Sequence, residues 1–264
     1  MIGVFDSGIG GLTVIKELER QLPIEQVLYF GDTARTPYGN KSPDTIVRYA
    51  LQDADFLAQK NADCIIIACN TASAVAADQV ADAFPELPVF EVITPAVQAA
   101  IAATSSGRIG VIGTRATITS NIYVKKISSA DPGLTVIGQA CPLFVPLAEE
   151  GWLDTPETLM IAKHYLQPVL NQHVDTLILG CTHYPLLKNL IRGIVGPLIT
   201  LVDPAELVVA ALKQYIQKKP GMKKAMTRDE YASEYFFSDT PPHLNQLIKT
   251  WLGHAVSVHQ HIIA

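Results

Sequence analysis

The sequence predicts an α/β fold of two similar, pseudo-symmetric lobes. Each lobe is expected to be a mainly parallel sheet flanked by helices, with the active site in the cleft between them. Three observations predict this. Short apolar runs alternate with longer amphipathic stretches, the pattern of strand–helix–strand units. Most of the short runs are apolar on both faces, as strands in a helix-covered parallel sheet should be. The order of the runs also repeats. Ile2-Gly3-Val4-Phe5 resembles Ile109-Gly110-Val111-Ile112, and Asp63-Cys64-Ile65-Ile66-Ile67-Ala68-Cys69 resembles Asp175-Thr176-Leu177-Ile178-Leu179-Gly180-Cys181. A single match of this length arises by chance. Two matches in the same order, with a cysteine in register both times, favour a duplication.

The elements follow in order. Strands are expected over 3–5, 27–30, 64–68 and 89–92, and again over 109–112, 135–137, 177–179 and 199–202. Between them run helical stripes such as Leu12, Ile15, Leu18 and Leu22, and Ile46, Ala50, Leu51, Ala54 and Leu57. Helices are expected over 72–84 and 185–195, with Pro185 in a first helical turn. The remainder reads as a helix over 205–218, a linker rich in Lys and Gly, a strand over 235–237, a helix over 242–251 and a last strand over 256–258. This tail is expected to fold back onto the first lobe. The first lobe is then 1–95 with 205–264, and the second is 96–204.

Composition narrows the function classes. The 264 residues are 48% hydrophobic and 17% charged, with Gly 17 and Pro 17, which excludes disorder and collagen-like repeats. Net charge is −5 and the one basic cluster, 218–224, is small, so no nucleic-acid partner is expected. No apolar run approaches the ~20 residues that span a bilayer. The N-terminus has no basic region and meets Asp6 at once, so a signal peptide is not expected. The expected location is therefore the cytoplasm, with Cys64, Cys69, Cys141 and Cys181 as thiols. None of them forms a CxxC pair.

In open α/β sheets, chemistry gathers beyond the carboxyl ends of strands. Cys69 and Cys181 stand there, each followed by polar residues and then a helix. The positive end of a helix favours thiolate. Cys64 and Cys141 read as small core side chains. Two strand-end thiols could form a redox pair, bind metal, or pass protons on opposite sides of a substrate. Redox pairs usually sit close in sequence, and these do not. A metal needs more ligands than Cys181 and His183 supply, and His183 could be a helix-cap residue. Two-face proton transfer needs one acid and one base flanking a carbon, which two lobes closing on a cleft provide.

Asp6-Ser7-Gly8-Ile9-Gly10-Gly11 is a Gly-rich turn opening a helix. It matches neither the dinucleotide fingerprint nor a Walker loop, but its N–H groups can cradle an anion. Pro37-Tyr38-Gly39 is a turn whose Tyr is either a site wall or a surface residue. Thr114 and Thr117 occupy the matching loop of the second half. These motifs hold no Lys or Arg, and Arg35 is the nearest. Substrate carboxylates are therefore expected to meet backbone and hydroxyl donors.

At these residues the chain resembles the cofactor-independent aspartate/glutamate racemase superfamily, and within it the glutamate racemases, over nearly its full length. The carrying motifs are Asp6 to Gly11, Gly31-Asp32 with Pro37-Tyr38-Gly39, Ala68-Cys69-Asn70-Thr71-Ala72-Ser73, Val111-Ile112-Gly113-Thr114 with Thr117-Ile118, and Gly180-Cys181-Thr182-His183-Tyr184-Pro185-Leu186-Leu187. The resemblance implies that Cys69 and Cys181 are acid/base thiols acting on D- and L-glutamate respectively, without cofactor or metal. It implies that Asp6 assists Cys69 and that His183 assists Cys181. Asp6, Ser7, Pro37, Tyr38, Gly39, Asn70, Thr71, Thr114, Thr182 and His183 would hold substrate. An assisting glutamate maps to Glu149, with Glu150 as the alternative. Thr94 stands where relatives often carry an acid. A homodimer and a role in bacterial peptidoglycan synthesis are also implied. The N-terminal segment that some relatives use for activation by a cell-wall precursor has no counterpart, so that regulation is not expected. The rival readings are a racemase for aspartate and a two-lobed amino-acid-binding protein.

Overall fold

The computed structural model describes residues 1–23, 25–218 and 233–263. The chain forms two compact units, Met1–Val92 with Ala205–Ala264, and Ile93–Pro204. The first contains β1 (Ile2–Asp6), α1 (Leu12–Gln21), β2 (Val27–Gly31), α2 (Pro43–Gln59), β3 (Cys64–Ile67), α3 (Asn70–Ala83) and β4 (Val89–Glu91). The second contains α4 (Ile93–Ala103), β5 (Arg108–Gly113), α5 (Arg115–Thr119), α6 (Ile122–Ala130), β6 (Thr135–Ala140), α7 (Phe144–Glu149), α8 (Pro156–Leu170), β7 (Thr176–Gly180), α9 (Lys188–Val195) and β8 (Thr200–Val202). α10 (Pro204–Lys218), β9 (Glu234–Phe237), α11 (Leu244–Leu252) and β10 (Val258–Gln260) complete the chain.

Both sheets are parallel throughout. Their strand orders are β10-β9-β2-β1-β3-β4 and β6-β5-β7-β8. The core of the first, β2-β1-β3-β4, has the same order as the whole of the second, and the repeated motifs fall on equivalent strands. β1 corresponds to β5, and β3 to β7. One physical reason for the repeated Ile-Gly-Val is close helix packing. A Cβ on Gly3 would lie 2.8 Å from Ala62 Cβ and 3.3 Å from Leu57 Cβ, and one on Gly110 would lie 2.7 Å from Val169. Leu57 is on α2 and Val169 on α8, the equivalent crossover helices.

Several boundaries differ from expectation. The expected helix 185–195 is a 3-10 turn, Tyr184–Leu187, running into α9. Pro185 suits the start of either helix type, and here the i→i+3 bonds from Tyr184 N–H to the Cys181 carbonyl and from Leu186 N–H to the His183 carbonyl close the tighter turn. The last strand starts two residues late, at Val258, where pairing with β9 begins. The basic cluster beyond Lys218 and the Lys- and Gly-rich linker lie outside the described residues. Among the described residues, no helix is long and apolar enough to cross a membrane.

β2 also supports the loop after β1. Gly31 leaves no room for a side chain, since a Cβ there would lie 2.4 Å from the Gly8 carbonyl oxygen and 2.7 Å from the Phe237 ring. Gly31→Ala is therefore expected to cost about 1–3 kcal/mol of stability by overpacking. Chemical denaturation checks this, and an unchanged midpoint would contradict it.

Candidate active site

The carboxyl ends of β1 and β3 lie side by side, because Phe5 pairs with Ile67 in the parallel register. Asp6 ends β1, is fully buried, and its Oδ2 accepts the Gly8 N–H at 3.0 Å. This bond tightens the Gly-rich turn into α1. Cys69 is the N-cap of α3, and its sulfur accepts the Ala72 N–H at 3.5 Å. The same sulfur lies 3.4 Å from Ser7 Oγ. Asn70 and Thr71 form the first, buried turn of α3. The structure thus brings Asp6, Ser7, Cys69, Asn70 and Thr71 to one strand-end cluster. Tyr29 closes its floor by donating to the Gly8 carbonyl at 2.8 Å. Burial, with Asp6 and Cys69 close by, holds the Tyr29 hydroxyl well above its ordinary pKa. It is a neutral donor there.

The Pro37-Tyr38-Gly39 turn lies at the carboxyl end of β2. Thr36–Pro37 is cis, Pro37 is exposed, and Tyr38 to Asn40 form a 3-10 turn. Tyr38 is not a surface residue. It is fully buried, and its hydroxyl lies 2.5 Å from Asp32 Oδ2 and 2.8 Å from Asp53 Oδ2. Arg35 does not stand free as an anion ligand. Its guanidinium bonds Asp32, Asp53 and Gln52 and sits 4.1 Å above the Tyr49 ring.

In the second unit, Gly113 pairs with Gly180, so the loops after β5 and β7 are neighbours. Thr114 caps α5, accepting the Thr117 N–H at 3.2 Å. Cys181, Thr182 and His183 follow β7 and are buried. Tyr184 N–H donates to the Cys181 carbonyl at 3.1 Å, so this thiol stands on a tight turn rather than at an α-helix N-cap. His183 bridges two groups. Its Nδ1 lies 3.9 Å from Cys181 Sγ and its Nε2 lies 2.9 Å from Glu149 Oε1. Glu149 is the last residue of α7, whereas Glu150 is exposed one position further on. Of the two glutamates, Glu149 reaches the histidine.

Burial alone would lower the His183 pKa. Hydrogen bonds to Cys181 and Glu149, with their negative charge, outweigh it and take the pKa from 6.5 up to about 10. Both partners thus favour the charged imidazolium. A group raised on folding stabilises fully below its unfolded value, and the gain is lost as pH rises through the folded value. For His183 the window of loss is about 6.5 to 10.

The remaining cysteines are core groups. Burial pushes the Cys64 thiol up to about 12 and raises that of Cys141 further. Thr94, in the first turn of α4, accepts a bond from Lys126 Nζ at 2.9 Å. Asp53 and Ser238 escaped the sequence reading. Asp53 lies on the apolar stripe of α2, one position before Ala54, and a carboxylate on a buried stripe was the available signal.

Residues 2–212 match the Asp/Glu/Hydantoin racemase family. The glutamate racemase of Syntrophus aciditrophicus (strain SB) is 47% identical over 255 residues, covering 97% of this chain and 93% of its own. That of Geobacter metallireducens is 46% identical over 252 residues, covering 96% of this chain and 92% of its own. The crystal structure of glutamate racemase from Francisella tularensis subsp. tularensis SCHU S4, in complex with D-glutamate, matches with a TM-score of 0.91. It shares 38% identity and covers 100% of this chain and 97% of its own.

Proposed function

The chain belongs to the Asp/Glu/Hydantoin racemase family, and from that premise we propose that it interconverts L- and D-glutamate by cofactor-independent proton transfer at Cα. Cys69 and Cys181 are the paired acid and base, one on each face of that carbon. The observation that carries this reading is a buried cysteine in the same strand-end position of each unit, in a chain 47% identical to a glutamate racemase over 97% of its length. The product D-glutamate would serve peptidoglycan synthesis in a bacterial cytoplasm.

From D-glutamate, the Cys69 sulfur takes the α-hydrogen as a proton, and the Cys181 thiol delivers one to the opposite face. From L-glutamate the roles reverse. One proton leaves carbon and one arrives, so nothing is oxidised. Each half-site has its own assistance. Ser7 and the first turn of α3 hold the Cys69 sulfur. The His183 imidazolium, braced by Glu149, can return a proton to Cys181 or stabilise its anion.

The energetic demand is large. A turnover of ~10 s⁻¹ corresponds to a barrier of roughly 16 kcal/mol. Each pKa unit of uphill transfer costs about 1.4 kcal/mol, so carbon can lie at most ~12 units above the thiol. An amino-acid α-hydrogen is too weakly acidic for this unaided. Donors aimed at the substrate carboxylate as it gains enolate charge must supply the difference. Asn70, Thr71 and Thr182, with the N–H groups of the strand-end turns, are the groups assigned to that task.

Assaying the purified protein with no added cofactor tests the assignment. Glutamate enantiomers are expected to interconvert, with D-aspartate turned over far more slowly. Preference for aspartate, or no turnover of either, would overturn it.

A further inference from the structure

The Tyr38 hydroxyl has two carboxylate neighbours and only one proton. Its oxygen lies 2.5 Å from Asp32 Oδ2 and 2.8 Å from Asp53 Oδ2, and both acids are fully buried. If both were ionised, one of these contacts would join two acceptors with no hydrogen between them. The other bonds show where the missing proton sits. Asp32 receives three donors: Arg35 Nε at 2.6 Å, Tyr38, and Ser238 Oγ at 2.8 Å on Oδ1. Among the described residues, Asp53 receives one Arg35 N–H, at 2.8 Å on Oδ1, and its Oδ2 meets only Tyr38.

We infer that Asp53 is carried as a neutral carboxylic acid donating from Oδ2 to the Tyr38 oxygen, while Tyr38 donates to ionised Asp32, and that this relay positions the Pro37–Gly39 turn of the substrate site. Among Arg35, Asp32 and Asp53 the charges then balance, with one guanidinium against one carboxylate. Burial and the charge of Asp32 raise the Asp53 pKa well above the usual carboxylate range, with Asp6 adding to the rise, while Tyr38 and Arg35 act against it. The charged and titratable groups facing Asp53 are Asp32 and Arg35 from the segment after β2, Tyr38 from the 3-10 turn, and Asp6 from the end of β1.

The relay ties the site loops together. Asp32 N–H donates to the Asp6 carbonyl at 3.0 Å, Ser238 follows β9, and its Oγ accepts the Ala34 N–H at 2.8 Å. Asp53 anchors all of this to α2. It is a positioning residue that acts on substrate through Tyr38 and Gly39.

Asp53→Asn separates this arrangement from an ordinary ion pair. The amide keeps an oxygen for Arg35 and an N–H for Tyr38, so it copies the neutral acid and not the anion. Asp53→Ala removes both. The KM for glutamate is expected to stay within about 3-fold in the Asn variant and to rise at least ~10-fold in the Ala variant, with kcat changing less. Carboxyl ¹³C NMR of the wild-type protein is the second readout. One aspartate resonance, absent from the Asn variant, should show a protonated acid at neutral pH. Equal damage from both variants, or an ionised Asp53 at neutral pH, would overturn the inference. The kinetic arm rests on the glutamate-racemase reading and the NMR arm does not. A protein inactive on glutamate but with a protonated Asp53 would sink that reading and leave the proton assignment standing.

Discussion

Replacing Cys69 or Cys181 by alanine is expected to stop racemisation, with kcat/KM falling by roughly 10³–10⁴-fold for each, the scale of losing a positioned acid/base group. Either variant leaves one face of the α-carbon without a proton carrier. Each should still keep half of the chemistry. With Cys181→Ala, Cys69 can remove and return the proton of D-glutamate, so solvent deuterium should enter D-glutamate without inversion. With Cys69→Ala, L-glutamate should exchange instead. Cys64→Ala and Cys141→Ala are the controls. Both sulfurs are buried in the core with pKa values raised by burial. Their loss should cost stability and leave turnover near wild type. Racemisation within ~10-fold of wild type in either strand-end variant would contradict the two-thiol account.

The second large effect is at His183. His183→Asn removes the bridge between Cys181 and Glu149 and is expected to lower kcat/KM by about 10²–10³-fold. L- and D-glutamate are mirror images with an equilibrium constant of one, so the loss must be equal in both directions. The site of damage shows instead in the isotope effects. If the Cys181 side becomes slow, the effect from α-deuterated L-glutamate grows and that from the D-enantiomer shrinks. Glu149→Gln should do the same more weakly. It should also lower the His183 pKa from about 10, because the carboxylate contributes to the rise. The imidazolium would then be lost at lower pH, and the alkaline limb of the kcat/KM profile should move down with it. An unmoved alkaline limb would show that the histidine charge plays no part.

Much of this was legible in the residues. The repeated Ile-Gly-Val falls on equivalent strands and the repeated cysteine just beyond the ends of equivalent strands, because a duplicated unit must keep the glycine that admits its crossover helix. The strand-end cysteines were visible as punctuation after apolar runs. Tertiary context decided the rest. Pro185 signals a helix start equally well for an α-helix and a 3-10 turn, and the difference sets the surroundings of Cys181. Tyr38 looked like a wall or surface residue because its partner Asp53 is 15 residues away on another element. Glu149 and Glu150 are chemically identical neighbours, and only the end of α7 tells which reaches His183. Arg35 is the basic residue nearest the motifs, and what the sequence did not show is that its guanidinium is held by Asp32 and Asp53.

The central claim is that the protons on the two faces of Cα are handled by two different groups. Short reactions in D₂O, started separately from L- and D-glutamate and stopped well before equilibrium, test it most directly. The account predicts deuterium at Cα of the newly formed enantiomer, with the unreacted starting enantiomer still carrying hydrogen, from both directions. Deuterium accumulating in the starting enantiomer as fast as in the product would mean that one group serves both faces, and would contradict it.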